Sequence, residues 1–163
     1  MKQKIKTALI SVSDKTDLSK ILKSLDKYNV KIISSGGTYK SIKKLGYPCT
    51  EISTYTGFKE MLDGRVKTLH PKIYAGILHD RSNKRHSQEM NKQKFPSLDL
   101  IVVNFYPFQK IVSNSKNYKK IIDNIDIGGP TMVRAAAKNF QNVLIITNKN
   151  DYPDLIDEIE KNK

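Results

Sequence analysis

Short apolar runs alternate with amphipathic stretches along most of the chain, and this alternation restricts the fold more than any other feature. Ile5 to Val12 form a β-leaning run that ends at Ser13, Asp14 and Lys15. Leu18, Ile21, Leu22 and Leu25 then fall at i, i+3, i+4 and i+7, one face of a helix. Val30 to Ile33 read as a second strand, closing in Ser34-Ser35-Gly36-Gly37-Thr38. A short helix carrying Ile42 and Leu45 follows, stopped by Gly46 and Pro48. Leu98 to Val103 give the clearest strand, and it runs into Asn104, Phe105, Tyr106 and Pro107. A polar helix is expected around 114–124, and Gly128-Gly129-Pro130 opens another with proline in its first turn. Val143 to Ile146 form a further strand, and Tyr152, Leu155, Ile156 and Ile159 mark a terminal amphipathic helix. Strands alternating with helices imply βα units with right-handed crossovers. The expected fold is therefore α/β, a three-layer αβα arrangement around a mostly parallel central sheet. The 163 residues fit one domain spanning 1–163.

Two stretches break the pattern. Residues 47–80 hold Gly57, Gly64, Pro71 and Gly76 and little periodicity, which reads as a long functional loop rather than a disordered one. Residues 82–97 are charged and weakly amphipathic, a solvated helix or loop.

Composition removes several function classes. Cys49 is the single cysteine, so no internal disulfide can form, which suits a reducing, cytoplasmic setting. His70, His79 and His86 lack accompanying thiols or an acidic cluster, so no metal is expected. No apolar run approaches the ~20 residues that span a bilayer. The stretch after Lys2, Lys4 and Lys6 is shorter than the ~7–15-residue core of a signal peptide. The net charge of +13 comes from scattered lysines rather than a basic block, and no aromatic-basic RNA motif or zinc-finger spacing is present. The charge reads as a solvated surface that draws in a phosphorylated small molecule. No nucleic-acid partner is expected.

In an open parallel sheet, ligands sit beyond the carboxyl ends of the strands. Ser11, Ser13, Asp14 and Lys15 follow the first strand, Ser35, Gly36, Gly37 and Thr38 the second, and Asn104 and Tyr106 the clearest one. The glycines let backbone N–H groups approach a phosphate at a helix N-terminus, and Thr38 adds a hydroxyl. A plain strand-to-helix turn would look the same. Asp63 to Lys72 pack three cations and a hydroxyl into a loop bounded by glycine and proline. Arg65 could grip a carboxamide or phosphate oxygen, and Arg65 and Lys72 beside Lys67 would lower its pKa and favour proton transfer. A basic surface loop is the plainer alternative. In Ile125 to Asn139, Asp126 stands where a helix start favours an acid, Arg134 and Lys138 share a helical face, and three alanines allow close packing.

Taken in order, Ser11 to Thr16, Ser35 to Thr38, Asp63 to Lys72, Asn104 to Phe108 and Ile125 to Asn139 resemble the N-terminal, methylglyoxal-synthase-like domain of the bifunctional AICAR formyltransferase/IMP cyclohydrolase family. The resemblance implies a cofactor-free dehydrative ring closure of FAICAR (5-formamido-1-(5-phosphoribosyl)imidazole-4-carboxamide) to inosine monophosphate (IMP), the last step of purine biosynthesis. It implies that Lys138 donates and accepts protons, with Lys67, Tyr106 and Asp126 orienting and polarising the reacting groups. Ser11, Ser13, Asp14 and Lys15 would hold the nucleotide, and Ser35, Gly36, Gly37 and Thr38 its phosphate. Arg65, Val66, Lys67, Thr68, Val103, Asn104, Asp126 and Ile127 would line the base. The same resemblance implies a homodimer and fusion to a formyltransferase domain, which these residues do not include. Formyl transfer and folate binding are accordingly not expected of them. A non-catalytic phosphometabolite sensor on the same fold, methylglyoxal synthase and a nucleic-acid module are the alternatives. A sensor needs only the phosphate cradle, and methylglyoxal synthase needs early-loop carboxylates.

Overall fold

A computed structural model describes residues 4–105 and 107–161. Five strands form one all-parallel sheet: β1 (Thr7–Val12), β2 (Lys31–Ser34), β3 (Thr50–Glu51), β4 (Leu100–Asn104) and β5 (Leu144–Ile146), in the order β3-β2-β1-β4-β5. Helices α1 (Leu18–Lys27) and α2 (Gly36–Lys44) follow β1 and β2. Between β3 and β4 come α3 (Ile52–Thr56), a 3-10 turn (Leu62–Gly64), α4 (Pro71–Leu78) and α5 (Lys84–Gln93). Helices α6 (Phe108–Asn114), α7 (Tyr118–Asp123) and α8 (Gly128–Lys138) join β4 to β5, and α9 (Tyr152–Lys161) ends the described chain.

The strands alternate their side chains between two cores, as a parallel sheet covered on both faces must. Ala8, Ile10, Val12, Ile32, Leu100 and Val102 pack against α1 and α9 on one face. Leu9, Ile33, Ile101 and Val103 pack against α4 and α8 on the other. This is the expected three-layer α/β arrangement, with every described strand pair parallel.

Asp99, buried at the start of β4, locks the amino-terminal edge of the sheet. One carboxylate oxygen accepts from the backbone N–H groups of Lys6 (2.7 Å) and Thr7 (2.8 Å), and the other pairs with Arg81 at 2.9 Å. A cavity of about 1120 Å³ opens beside this lock. Asp99 and Arg81, two of its charged groups, hold β1 against β4.

The structure corrects the reading of residues 47–80. They contain a two-residue strand and two helices, and α4 buries Ile73 and Ile77 completely. Pro71 begins that helix rather than breaking a loop, and the Nδ1 of His70 accepts from Lys72 N at 3.1 Å to cap it. The polar helix expected around 114–124 is α7, and a further helix, α6, precedes it, with Ser115 extended between them.

Ile101 lies in β4, an interior strand of the sheet, with no exposed surface. Ile101→Ala is expected to destabilise the fold by about 3 kcal/mol through lost burial and an unfilled cavity. Urea denaturation checks this, with the midpoint falling and the slope unchanged.

Candidate active site

The sheet reverses its winding between β1 and β4, because β2 and β3 lie on one side of β1 and β4 and β5 on the other. At such a switch point the loops leaving two neighbouring strands diverge and leave a crevice. Here the crevice is a cavity of about 730 Å³ at the carboxyl edge of the sheet. Segments distant in sequence meet in it: the β1 loop, the start of α2, the 63–68 loop, the end of α7 and the start of α8.

Asn104 sets the mouth of the crevice. Its Oδ1 accepts from Ser13 N (2.6 Å) and Asp14 N (2.9 Å), and its Nδ2 donates to Asp14 O (2.8 Å). The side chain thus continues the β1–β4 ladder past the point where the backbones part. Lys15 projects from the loop so held, and its Nζ lies 3.9 Å from where a Cβ on Gly37 would stand.

The second cation arrives from the opposite side. Asp63 and Gly64 both take positive φ, which turns the 3-10 segment sharply. The Nζ of Lys67 comes 3.1 Å from the Cβ position of Gly36 and 3.4 Å from that of Gly64. Gly36 has φ +54, a conformation that glycine adopts freely and that leaves the start of α2 open. Two ammonium groups therefore flank the amino end of a nine-residue helix, where the backbone dipole already favours an anion. Ser35 is the N-cap residue, yet its side chain makes no cap bond.

At the other end of the cavity, Asp126 Oδ1 accepts from Gly129 N at 3.0 Å and so caps the first turn of α8. Side chains at Gly128 or Gly129 would overlap Thr68 Oγ1 or the Asp126 carboxylate. The paired glycines are what let the 63–68 loop and Asp126 close on the helix. Arg65 spans the rim and pairs with Asp123 at 2.5 Å.

Ser11, Ser13, Lys15, Ser35, Gly37, Thr38, Arg65, Lys67, Thr68, Asn104, Asp126 and Ile127 all line this cavity, and Gly36 lies under Lys67. Several expected residues lie outside the cavity lining or have their polar atoms bonded within the protein. Thr38 lines the cavity, but its hydroxyl accepts from Val12 N (3.1 Å) and donates to Val12 O (2.9 Å), so its proton ties α2 to β1. Asp14 is outside the lining: it accepts from Thr16 and pairs with Lys149 at 2.9 Å, bonds that hold its carboxyl far below the usual range. Val103 is buried in the α4–α8 core, because alternation along β4 sends it to the sheet face while Asn104 reaches the edge. Val66 is also outside the lining. Lys72 turns away, donating to Tyr55 O at 2.5 Å with its ammonium over the Tyr55 ring, so it does not crowd Lys67. Tyr106 lies outside the described residues.

Lys138 is the largest departure. It is exposed and ends α8, about 15 Å along the helix from Gly128 at a rise of ~1.5 Å per residue. The helix runs antiparallel to the strands, and its last turn reaches the opposite edge: neighbouring Asn139 donates to Ile77 O and His79 O. Asp63, Ile122, Asp123, Asn124, Ile125 and Met132 line the cavity and were absent from the expected set. The only sequence signal for them was adjacency to the Arg65 loop and the Asp126 segment.

Gly36→Ala would strain the turn by about 1–2 kcal/mol and displace the Lys67 ammonium. We expect a lower melting temperature and at least ~10-fold weaker phosphate-monoester binding by calorimetry, because a side chain there also closes the start of α2 to an anion.

Comparison with known proteins identifies the family and the fold. Residues 17–131 match the MGS-like domain family. The bifunctional purine biosynthesis protein PurH of Clostridium acetobutylicum is 52% identical over 157 residues, covering 96% of this chain and 32% of that protein. The PurH of Acetivibrio thermocellus is 48% identical over 160 residues, covering 98% of this chain and 31% of that protein. The chain thus spans about a third of the length of these relatives. The crystal structure of ForH superposes with a TM-score of 0.83 at 28% identity, covering 96% of this chain and 80% of ForH. On its sequence and its sheet alike, the chain belongs to the MGS-like domain family.

Proposed function

We propose that this domain is an IMP cyclohydrolase, closing FAICAR to IMP with loss of water. The observation that carries the reading is the convergence of Lys15 and Lys67 on the Gly36–Gly37 turn, in one cavity with Asp126. That arrangement suits a substrate with a phosphate at one end and a reacting amide at the other. The purine-biosynthesis relatives supply the pathway. By the same analogy the domain works fused to a formyltransferase domain and as a homodimer.

The chemistry sets what the residues must do. The carboxamide nitrogen attacks the formyl carbon, and an amide nitrogen is a weak nucleophile until its proton leaves. The formyl oxygen gains negative charge as the C–N bond forms. The carbinolamine then loses its hydroxyl as water, which requires a proton on that oxygen. In this reading the phosphate sits at the start of α2, neutralised by Lys15 and the Ser35–Gly37 segment. The Asp126 carboxylate takes the amide proton. The Lys67 ammonium polarises the formyl oxygen and protonates it as the carbinolamine forms. The protonated Asp126 then gives its proton to the departing hydroxyl. The neutral Lys67 amine takes the remaining proton from the attacking nitrogen as the C=N bond forms, which restores both groups. A preorganised donor at a developing oxyanion contributes about 3–4 kcal/mol. Tyr106 keeps the assisting role that the family resemblance gives it. Lys138 is not given a step inside the cavity, because its helix carries it to the far edge of the sheet.

The test mixes the purified chain with synthetic FAICAR and follows the purine chromophore. Lys67→Ala and Asp126→Asn should each cut the rate at least ~100-fold, the usual contribution of acid–base catalysis, with IMP binding by Asp126→Asn retained. Lys138→Ala should stay within a few-fold of the parent. A two-order loss at Lys138 alone would return proton transfer to that residue. Tight IMP binding without turnover would instead favour a sensor.

A further inference from the structure

The segment that joins α3 to the 3-10 turn carries a carboxylate, Glu60, that lies outside the cavity lining. Gly64 shows where that carboxylate points. A Cβ on Gly64 would overlap Glu60 Oε1, and the same position is 3.4 Å from Lys67 Nζ. The carboxylate and the ammonium therefore share the space that a side chain at residue 64 would fill. Gly64 has φ +85, so glycine serves the turn and leaves room for both groups at once. On its other side the Lys67 ammonium meets Gly36, whose Cβ position is 3.1 Å away. Lys67 is thus seated between two glycines, with Glu60 against one and the start of α2 behind the other.

Charge explains why such a seat needs an anion. Lys15 approaches the neighbouring Gly37, and the start of α2 carries a partial positive charge. A lysine facing another ammonium and a helix N-terminus is pushed out of the cavity until an anionic ligand arrives. The carboxylates within the cavity are Asp63, Asp123 and Asp126. Asp123 pairs with Arg65, Asp126 caps α8, and Asp63 stands where a ligand reaches it. Glu60 approaches Lys67 from outside the lining, where a ligand does not displace it. Neither Glu60 nor Lys67 is held in an ion pair elsewhere among the described residues.

We infer that Glu60 is a positioning residue for Lys67: its carboxylate balances the ammonium from outside the cavity and keeps it against the Gly36 turn. This rests on the assignment of Lys67 as the group that polarises and protonates the formyl oxygen. Glu60 does not touch substrate. Before a ligand enters, it holds Lys67 inward against the repulsion of Lys15. With the ligand bound, it keeps the ammonium where the formyl oxygen gains charge.

Glu60→Gln keeps the shape and removes the charge. We expect kcat for FAICAR closure to fall about 10-fold, within the ~100-fold that a misplacement of ~1 Å can cost. IMP affinity should hold or rise, because a negative charge has left the neighbourhood of a phosphate site. The melting temperature should stay unchanged, since the side chain is exposed. In a Lys67→Ala background, Glu60→Gln should alter the rate less than two-fold, because the group it acts through is gone. In the ligand-free chain the ¹³Cε resonance of Lys67 should move in Glu60→Gln while that of Lys15 stays. A kcat within two-fold of the parent, a further 10-fold loss on top of Lys67→Ala, or equal falls in kcat and IMP affinity would each overturn the assignment. A parent chain that binds IMP without closing FAICAR would sink the cyclohydrolase reading. The ligand-free resonance then decides the Glu60–Lys67 contact by itself, and an unmoved Lys67 signal would overturn it.

Discussion

The cavity exists because two parallel strands are held together at the point where their connections part. Parallel pairing gives β1 and β4 a regular ladder as far as Val12 and Asn104. Beyond it the chains leave in opposite directions, and nothing in the backbone can bridge them. The Asn104 side chain does so, using an acceptor and a donor in the geometry of a peptide group. Each of the three bonds contributes about 1 kcal/mol net. Their larger effect is positional, since they fix the loop from which Lys15 reaches the Gly37 turn. An aspartate could accept but not donate, and an apolar residue could do neither.

Much of the fold was legible because its rules are local. Alternating periods of two and 3.6 residues gave the strand and helix order, and an unbroken apolar run such as Ile101 to Val103 is what burial on both faces requires. The irregular stretch was misread for a physical reason. Pro71, Gly64 and Gly76 look alike as breakers in sequence, yet they act differently. Pro71 starts a helix, Gly64 turns at φ +85, and Gly76 lets α4 approach the backbone of Pro96. Only tertiary contact separates those uses.

The site was legible by segment and less so by atom. The sheet-edge argument gathered the right loops, because strand ends converge whatever the residues. It could not say whether a given polar atom faces a ligand or the protein. Thr38 illustrates this: its hydroxyl looks like a phosphate donor and is consumed by Val12. Val103 and Asn104 are neighbours in sequence but face the core and the crevice respectively, a distinction set by the pleat. Lys138 was placed with Asp126 because both belong to one motif. They stand twelve positions apart along mostly helical chain, and a straight helix of that length runs from one end of the strands to the other.

That last separation shows what α8 does for the chemistry. Its first turn supplies the Gly129 N–H that holds Asp126. Its middle, Met132, Ala135 and Ala136, packs against Val103 and α4, so the first turn cannot shift without disturbing the core. A carboxylate anchored in this way needs little reorganisation when charge develops nearby, which is the condition under which fixed dipoles and ions lower a barrier. On the opposite wall, Lys67 leans on the Gly36 turn, which is tied through Thr38 to β1. The two groups assigned to proton transfer are thus both mounted on the central strands.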